Sequence, residues 1–326
     1  MVRNNVTMST LDIIIVNWNT GAQLAACLES IAAAGRGGFE LLRVRVVDNA
    51  STDGSAADPG HPGIPLETIR NPENRGFAAA CNQGAAGSTA RYLLFLNPDT
   101  RLFADSLSVP VAFMEDGKNE RVGVVGIKLV GDDGAPHRAC ARFPAARHFV
   151  SRAFGLDALF PRLFPSYRLL DWPHGENRVV DQVTGAFFLV RRGLFEALGG
   201  FDERFFVYLE ELDFSRRMRD DGWKSVYLAD AAAYHKGGGA SEADRGRRLF
   251  YALRSRMIYA YKHFGRPAAA TVALCTLVIE PVVRIVAALA GGAAVRVRET
   301  VGGFGMLWRE LPRILKSTPR SGRGQP

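Results

Sequence analysis

Residues 92–96, YLLFL, form an unbroken apolar run that stops at Asn97-Pro98-Asp99, and a chain carrying that pattern has few ways to fold. A five-residue run with no polar member is buried on both faces, the setting of a central strand in a sheet covered by helices. Ending it in an amide and a carboxylate places ligand-type side chains at the strand's carboxyl end, where open parallel sheets bind their ligands. Asn97 and Asp99 there suit a cation-bridged diphosphate. The same tripeptide is also plain turn chemistry, and the stretch alone leaves both readings open.

Three earlier segments repeat the plan. Residues 11–16, LDIIIV, stop at Asn17-Trp18-Asn19-Thr20-Gly21 before an alanine-rich helical segment, 23–34. Residues 41–47 end in Asp48-Asn49 and a loop of small acceptor residues running to Ser55. A short strand at 66–69 precedes Asn71-Pro72-Glu73-Asn74-Arg75-Gly76-Phe77 and a helix over 78–86. Strands alternating with helices, each strand spending its polar residues at its carboxyl end, predict a doubly wound α/β sheet with a nucleotide-sized crevice. The first strand has no GxGxxG after it and no GxxxxGK[ST] occurs, which weighs against a dinucleotide oxidoreductase and a P-loop enzyme. Farther on, the pattern predicts a helix near 106–115 and a strand near 122–127. Irregular chain or short helices fill 131–171, and a core strand lies within 180–191 after the small residues Thr184-Gly185-Ala186.

Glu210, Glu211 and Asp213 then place three carboxylates beside Phe205, Phe206 and Tyr208. On a helix over 209–219, Glu210 and Asp213 share a face while Glu211 sits roughly a hundred degrees round. A carboxylate desolvated by aromatics is a competent proton acceptor near neutral pH, and acidic residues also favour a helix amino terminus for no catalytic reason. His235 follows a strand at 224–228 and precedes a glycine run, 237–239; its imidazole would suit Mn²⁺ beside Asp99.

These pieces together resemble a family 2 glycosyltransferase of the GT-A fold, in the branch that includes bacterial rhamnosyltransferases of cell-wall and O-antigen assembly. The matching motifs are IIIVNWN, VVDNASTDGS, NRGFAAACNQG, LLFLNPDT, TGAFFLVRR, GGFDERFFVYLEELDFSRR and His235, covering roughly residues 11–263. The resemblance implies that Asp99 holds Mg²⁺ or Mn²⁺ against the donor diphosphate, with His235 as a further ligand. It implies that Asp48 reads a pyrimidine ring with Asn19 and Arg75 nearby. It also assigns Asn17, Asn49, Gly76, Asn82, Asn97, Thr184 and Gly185 to nucleotide-sugar binding, and Glu211 or Glu210 to the role of general base. Asn97 and Glu211 depart from the family's usual Asp at their positions. The implied reaction is inverting transfer of a sugar from a nucleotide diphosphate, with dTDP-rhamnose first and a UDP-hexose second. The departures leave a sugar-nucleotide-binding homologue without turnover conceivable.

Composition locates the basic charge. From residue 241 to the end there are 15 Lys and Arg against 5 Asp and Glu, a surplus of +10 in a chain of net charge +8. Residues 246–264 interleave aromatic and basic side chains, and 268–290 are uncharged except for Glu280 and Arg284. Such a tail favours an anionic membrane surface over nucleic acid, as an amphipathic or hairpin element; packing on the catalytic domain is the alternative. The expected organisation is a GT-A domain over 1–240, with a nucleotide-sugar half to about 105, a helical extension over 241–316 and a disordered end, 317–326. A polyprenyl-diphosphate-linked glycan acceptor at the cytoplasmic membrane face fits this tail, and a homo-oligomer is possible. Cys27, Cys81, Cys140 and Cys275 form no CxxC pair and signal neither zinc nor disulfides. The short polar start, MVRNNVTMST, is unlike a cleaved signal peptide.

Overall fold

The computed structural model describes residues 8–57, 63–237 and 244–317. The chain forms two compact units, one of Met1–Ala141, Leu169–Asp202 and Glu211–Ala240, the other of Arg142–Arg168, Glu203–Glu210 and Ser241–Pro326. Two stretches from inside the first 240 residues therefore belong with the carboxyl-terminal helices.

Along the chain the first unit begins β1 (Ser9–Asn17), α1 (Gln23–Ala33), β2 (Phe39–Asp48), β3 (Leu66–Arg70), α2 (Phe77–Ala85) and β4 (Tyr92–Leu96). It continues with β5 (Thr100–Leu102), α3 (Ser108–Glu115), β6 (Val122–Val130) and β7 (Cys140–Ala141). The stretch expected to hold irregular chain or short helices contains two short helices of the second unit, α4 (Ala146–Ala153) and α5 (Leu156–Leu159). Next come β8 (Arg178–Val180), β9 (Gln182–Val183), β10 (Phe187–Arg191), α6 (Arg192–Ala197), α7 (Glu210–Asp220) and β11 (Lys224–His235). The second unit closes with α8 (Arg245–His263), α9 (Arg266–Leu274), a π-helical turn over Cys275–Ile279, α10 (Glu280–Ala290) and α11 (Ala294–Ser317).

The main sheet runs β3-β2-β1-β4-β10-β6-β11-β5, with β8 beside β11. Its first four strands are parallel, the doubly wound half expected from sequence. Helix α2 lies so close on this half that a Cβ at Gly84 would stand 2.4 Å from Ile14 Cγ2 and 3.1 Å from Val47 Cγ2, so only glycine fits. Strand β10 then enters antiparallel to β4, with Phe187 opposite Leu96. That pairing puts the start of β10 against the end of β4, the step that assembles the site.

Beneath it, Phe95, Phe188, Phe195, Phe201 and Phe214 form an aromatic cluster with ring centroids 5.0 to 6.4 Å apart. Strand β11 runs to His235, beyond the expected end at 228, because its Ala-rich second half pairs with β5 and β6 after a register break between Leu228 and Ala232. His235 is thus on a strand instead of after one. Of the glycine run, residues 238 and 239 lie outside the described residues. So does the expected disordered end, apart from Ser317, which terminates α11.

In the second unit, Phe149, Leu253, Met257, Tyr259, Phe304 and Leu307 are buried. The two charges that interrupt the apolar 268–290 stretch are satisfied internally: Glu280, 1% exposed, bonds Arg256 and accepts from Arg284 Nε at 2.9 Å. Burial pushes the Glu280 carboxyl up, and the two guanidiniums overcome it and hold the group below the ordinary carboxylate range.

Candidate active site

Asn17 ends β1 and Asp48 ends β2, and parallel register places them side by side. Asn17 Nδ2 donates to Asp48 Oδ1 at 2.9 Å and lies within 3.1 Å of Ser51 Oγ and 2.9 Å of Ser55 Oγ. Asp48 also accepts from the Ser51 hydroxyl at 2.5 Å and the Ser51 amide at 3.2 Å. Asn19, in a left-handed conformation with φ 51°, accepts from the Thr52 amide at 2.7 Å, and its own amide donates to Ser51 Oγ at 3.0 Å. Asp53 accepts from the Gly21 amide at 2.7 Å. Slight burial raises its carboxyl, and the donors Ser55 and Gly21 outweigh that and lower it. Asn49 Nδ2 reaches the Gly76 carbonyl at 3.1 Å, tying in the loop that carries exposed Arg75.

On the other side of β1, the Asn97 amide donates to the Ala186 carbonyl at 3.1 Å, so Thr184 and Gly185 stand beside Asn97-Pro98-Asp99. A Cβ at Gly185 would lie 3.9 Å from Glu211 Cδ and 3.8 Å from Phe77 Cε1. The small residue therefore leaves room between a carboxylate and the Arg75-Gly76-Phe77 loop. Gln182 Nε2 approaches Glu211 Oε1 at 3.4 Å.

Strand β11 pairs antiparallel with β5, setting His235 opposite Thr100, and this brings His235 Nε2 to 3.3 Å from Asp99 Oδ1. Both side chains are largely covered, at 15% and 9% exposed. His137 lies edge-on to His235 with centroids 5.8 Å apart. Burial, and then His235, keeps its imidazole below the ordinary range. Sequence reading missed His137, which sits in a Pro- and Arg-rich stretch; its packing against Gly131, where a Cβ would meet His137 Nε2 at 2.6 Å, is a tertiary contact that no sequence pattern announces.

The expected metal fits this donor set. A carboxylate oxygen and an imidazole nitrogen about a ligand's width apart suit Mg²⁺ or Mn²⁺, the imidazole favouring Mn²⁺. Among the described residues no group of three or more His, Cys, Asp or Glu has metal-binding spacing. Cys27, whose thiol reaches the Asn97 carbonyl at 3.8 Å, is pushed up by burial and then by the Asp99 charge, and stays a neutral thiol.

The acidic run separates into three environments. Asp213 is fully buried and pairs at 2.9 Å with Arg217, whose other nitrogens donate to the Leu198 and Gly200 carbonyls. Glu210 is 4% exposed and belongs to the second unit, whereas Glu211 is half-buried in the first. Tyr208 and Leu209 just before them are both left-handed, at φ 70° and 68°, a strained pair that fixes where α7 starts. Asn82 makes a two-way bond with the Phe201 backbone, at 2.8 and 2.9 Å, and closely approaches Gly200, so it staples α2 to the Gly199-Gly200-Phe201 turn.

The sequence profile of glycosyl transferase family 2 matches residues 12–199. The N-acetylglucosaminyl-diphospho-decaprenol L-rhamnosyltransferase of Mycobacterium tuberculosis is 27% identical over 274 residues, covering 78% of this chain and 85% of that protein. Rhamnosyltransferase WbbL of Escherichia coli is 28% identical over 147 residues, 44% of this chain and 52% of that one. Among solved structures, the mannosyltransferase PcManGT from Pyrobaculum calidifontis in complex with GDP-Man and Mn²⁺ superposes with a TM-score of 0.51 at 19% identity, covering 94% of this chain and 83% of that one. S. aureus TarS 1-349 in complex with UDP-GlcNAc gives 0.52 at 15% identity, covering 95% and 82%. These likenesses show the GT-A fold. With more than half its length matched by the family profile, the chain belongs to glycosyl transferase family 2, and within it resembles the rhamnosyltransferases.

Proposed function

We propose that the chain transfers rhamnose from dTDP-rhamnose, with inversion and with Mg²⁺ or Mn²⁺, to a glycan or polyprenyl-diphosphate-linked acceptor in cell-surface polysaccharide assembly. It works peripherally at the cytoplasmic face of the plasma membrane. The observation that carries this reading is the β4–β10 junction, where the Asn97 amide meets the Ala186 carbonyl beside Gly185, whose Cβ position lies 3.9 Å from Glu211 Cδ. The donor and acceptor classes draw support from the mycobacterial relative, whose name specifies rhamnosyl transfer onto a diphospho-decaprenol-linked sugar.

Asp99 and His235 are the residues that would hold the cation at the end of β4, beside the donor diphosphate. The metal, when bound, neutralises the charge that builds on the departing nucleotide. Glu211 accepts the acceptor hydroxyl's proton as that oxygen attacks the anomeric carbon opposite the leaving group, which inverts the configuration. Glu210, buried at 4% exposure, is the less accessible of the pair. Asp48, Asn17, Asn19 and Asn49 hold the base-reading loop in one shape, and Arg75 lies at its open edge. Thr184 and Gly185 form the floor against the sugar.

The test is product formation with a lipid-linked N-acetylglucosaminyl diphosphate acceptor and dTDP-rhamnose, UDP-glucose, UDP-galactose or UDP-N-acetylglucosamine in turn. A rhamnosyl product of inverted anomeric configuration by NMR is expected. Product from a UDP-hexose alone would replace the donor, and donor binding with no product from any would replace catalysis with sugar-nucleotide binding.

A further inference from the structure

Leu274, Val278, Val282, Val286 and Leu289 are 52 to 64% exposed. Their spacing of four, four, four and three residues puts all five within about a third of the circumference of the helical rod Arg266–Ala290. Ala269, Ala273, Thr276, Glu280 and Ala288 are buried on the opposite side. Glu280 thus faces inward, where Arg256 and Arg284 satisfy it, and between Leu274 and Ala290 every exposed side chain of the rod is apolar. Trp308 of α11 donates to the Leu277 carbonyl at 3.3 Å, which clamps the rod on its inner side. A rod held along one flank by its own unit presents its other flank instead of spanning.

A second apolar element of the same unit lies next to it. Phe154, Leu159, Phe160 and Leu163 are 43 to 76% exposed, and Gly155 at the start of this segment packs within 3.4 Å (from its Cβ position) of Val283. Few soluble proteins leave so many contiguous large apolar side chains in water. The cations sit around them: exposed Arg162 is inside the 154–164 segment, exposed Arg266 opens the rod, and exposed Arg296 and Arg298 follow its end.

We infer that the outer face of the rod and the 154–164 segment form one membrane-docking surface, which inserts into the interface of an anionic phospholipid bilayer while its rim arginines meet the headgroups. This deepens, and rests on, the peripheral membrane location proposed above. It places the membrane contact on two segments about a hundred residues apart, one of them outside the basic tail.

The test is flotation of the purified full chain with phosphatidylglycerol/phosphatidylcholine vesicles and with pure phosphatidylcholine vesicles. The wild type floats with the anionic vesicles and loses binding at high salt. A Leu159→Asp/Phe160→Asp/Leu163→Asp variant and a Val278→Asp/Val282→Asp/Val286→Asp variant each partition at least about tenfold less, with unchanged circular dichroism. Val179→Asp, an exposed apolar position of the first unit, changes nothing. As a check that leaves the apolar surface nearly intact, Leu163→Cys carries an environment-sensitive dye, selective because all four native cysteines are buried; its emission shifts to the blue on anionic vesicles only. Wild-type flotation that both variants retain, with no dye shift, overturns the surface and leaves the membrane location standing. No flotation of the wild type overturns both. A concentration-dependent dimer in solution that either variant abolishes assigns the face to a second copy of the chain.

Discussion

The two sides of the site at the sheet's carboxyl end follow opposite plans. After β1 and β2, Asn17, Asp48 and Asn49 are 0, 6 and 1% exposed and spend their polar atoms on one another, on Ser51 and Ser55, and on the Gly76 backbone. After β4, Asp99 has a single ion-pair-distance neighbour among the described residues, the His235 imidazole at 3.3 Å. One side is wired to itself and holds a shape; the other leaves the proposed metal ligands with few partners of their own. Substitutions should divide accordingly, those on the wired side disturbing stability and affinity together and those beside Asp99 disturbing metal-dependent donor binding and chemistry while stability holds.

The largest expected effect is at Glu211. Glu211→Gln keeps the shape and removes the proton acceptor, so kcat falls by roughly 10²- to 10⁴-fold with donor affinity and thermal stability unchanged. Glu210→Gln is the control, and loss of turnover there with retention in Glu211→Gln moves the base by one residue.

Next comes Asp99→Ala, expected to lose transfer by about 10²- to 10³-fold or more through loss of metal-held diphosphate, again with little change in Tm. Asp48→Ala acts differently because it leaves Asn17 and the Ser51 amide without their acceptor. It should cost roughly 1–3 kcal/mol in stability and weaken donor binding in step. A Tm drop for Asp99→Ala as large as that for Asp48→Ala would erase the contrast.

The smallest effect is a pH dependence at Asp53. Its folded pKa is lowered, so its contribution is present above the ordinary carboxylate range, near pH 4, and is lost as pH falls through the folded value. The Tm difference between wild type and Asp53→Asn should therefore shrink between pH 6 and pH 3. A difference that grows on acidification would reverse the sign.

The parallel half of this molecule was legible because fully buried strands announce themselves as apolar runs, and their polar ends cannot be placed elsewhere than at the rim. Asn17, Asp48 and Asp99 were found that way. What sequence could not supply was register between distant strands. His235 reaches Asp99 only because β11 turns back on β5, and its ADAAAYH end carries too little β-branched character to read as strand. The approach of Gly185 to Glu211 depends likewise on the reversed entry of β10. Asp213, two residues from the proposed base, is tied to Arg217 and the Gly200 turn; helical spacing set it apart from Glu211 but could not name those partners.

The most direct test of the account is calorimetric titration of dTDP-rhamnose, with and without Mn²⁺, into wild type and Asp99→Ala. The account predicts that Mn²⁺ tightens the donor by about tenfold or more in the wild type and leaves Asp99→Ala unaffected, with the metal-free affinities of the two proteins similar. Equal tightening in both would show that the diphosphate and its cation lie elsewhere than at the end of β4.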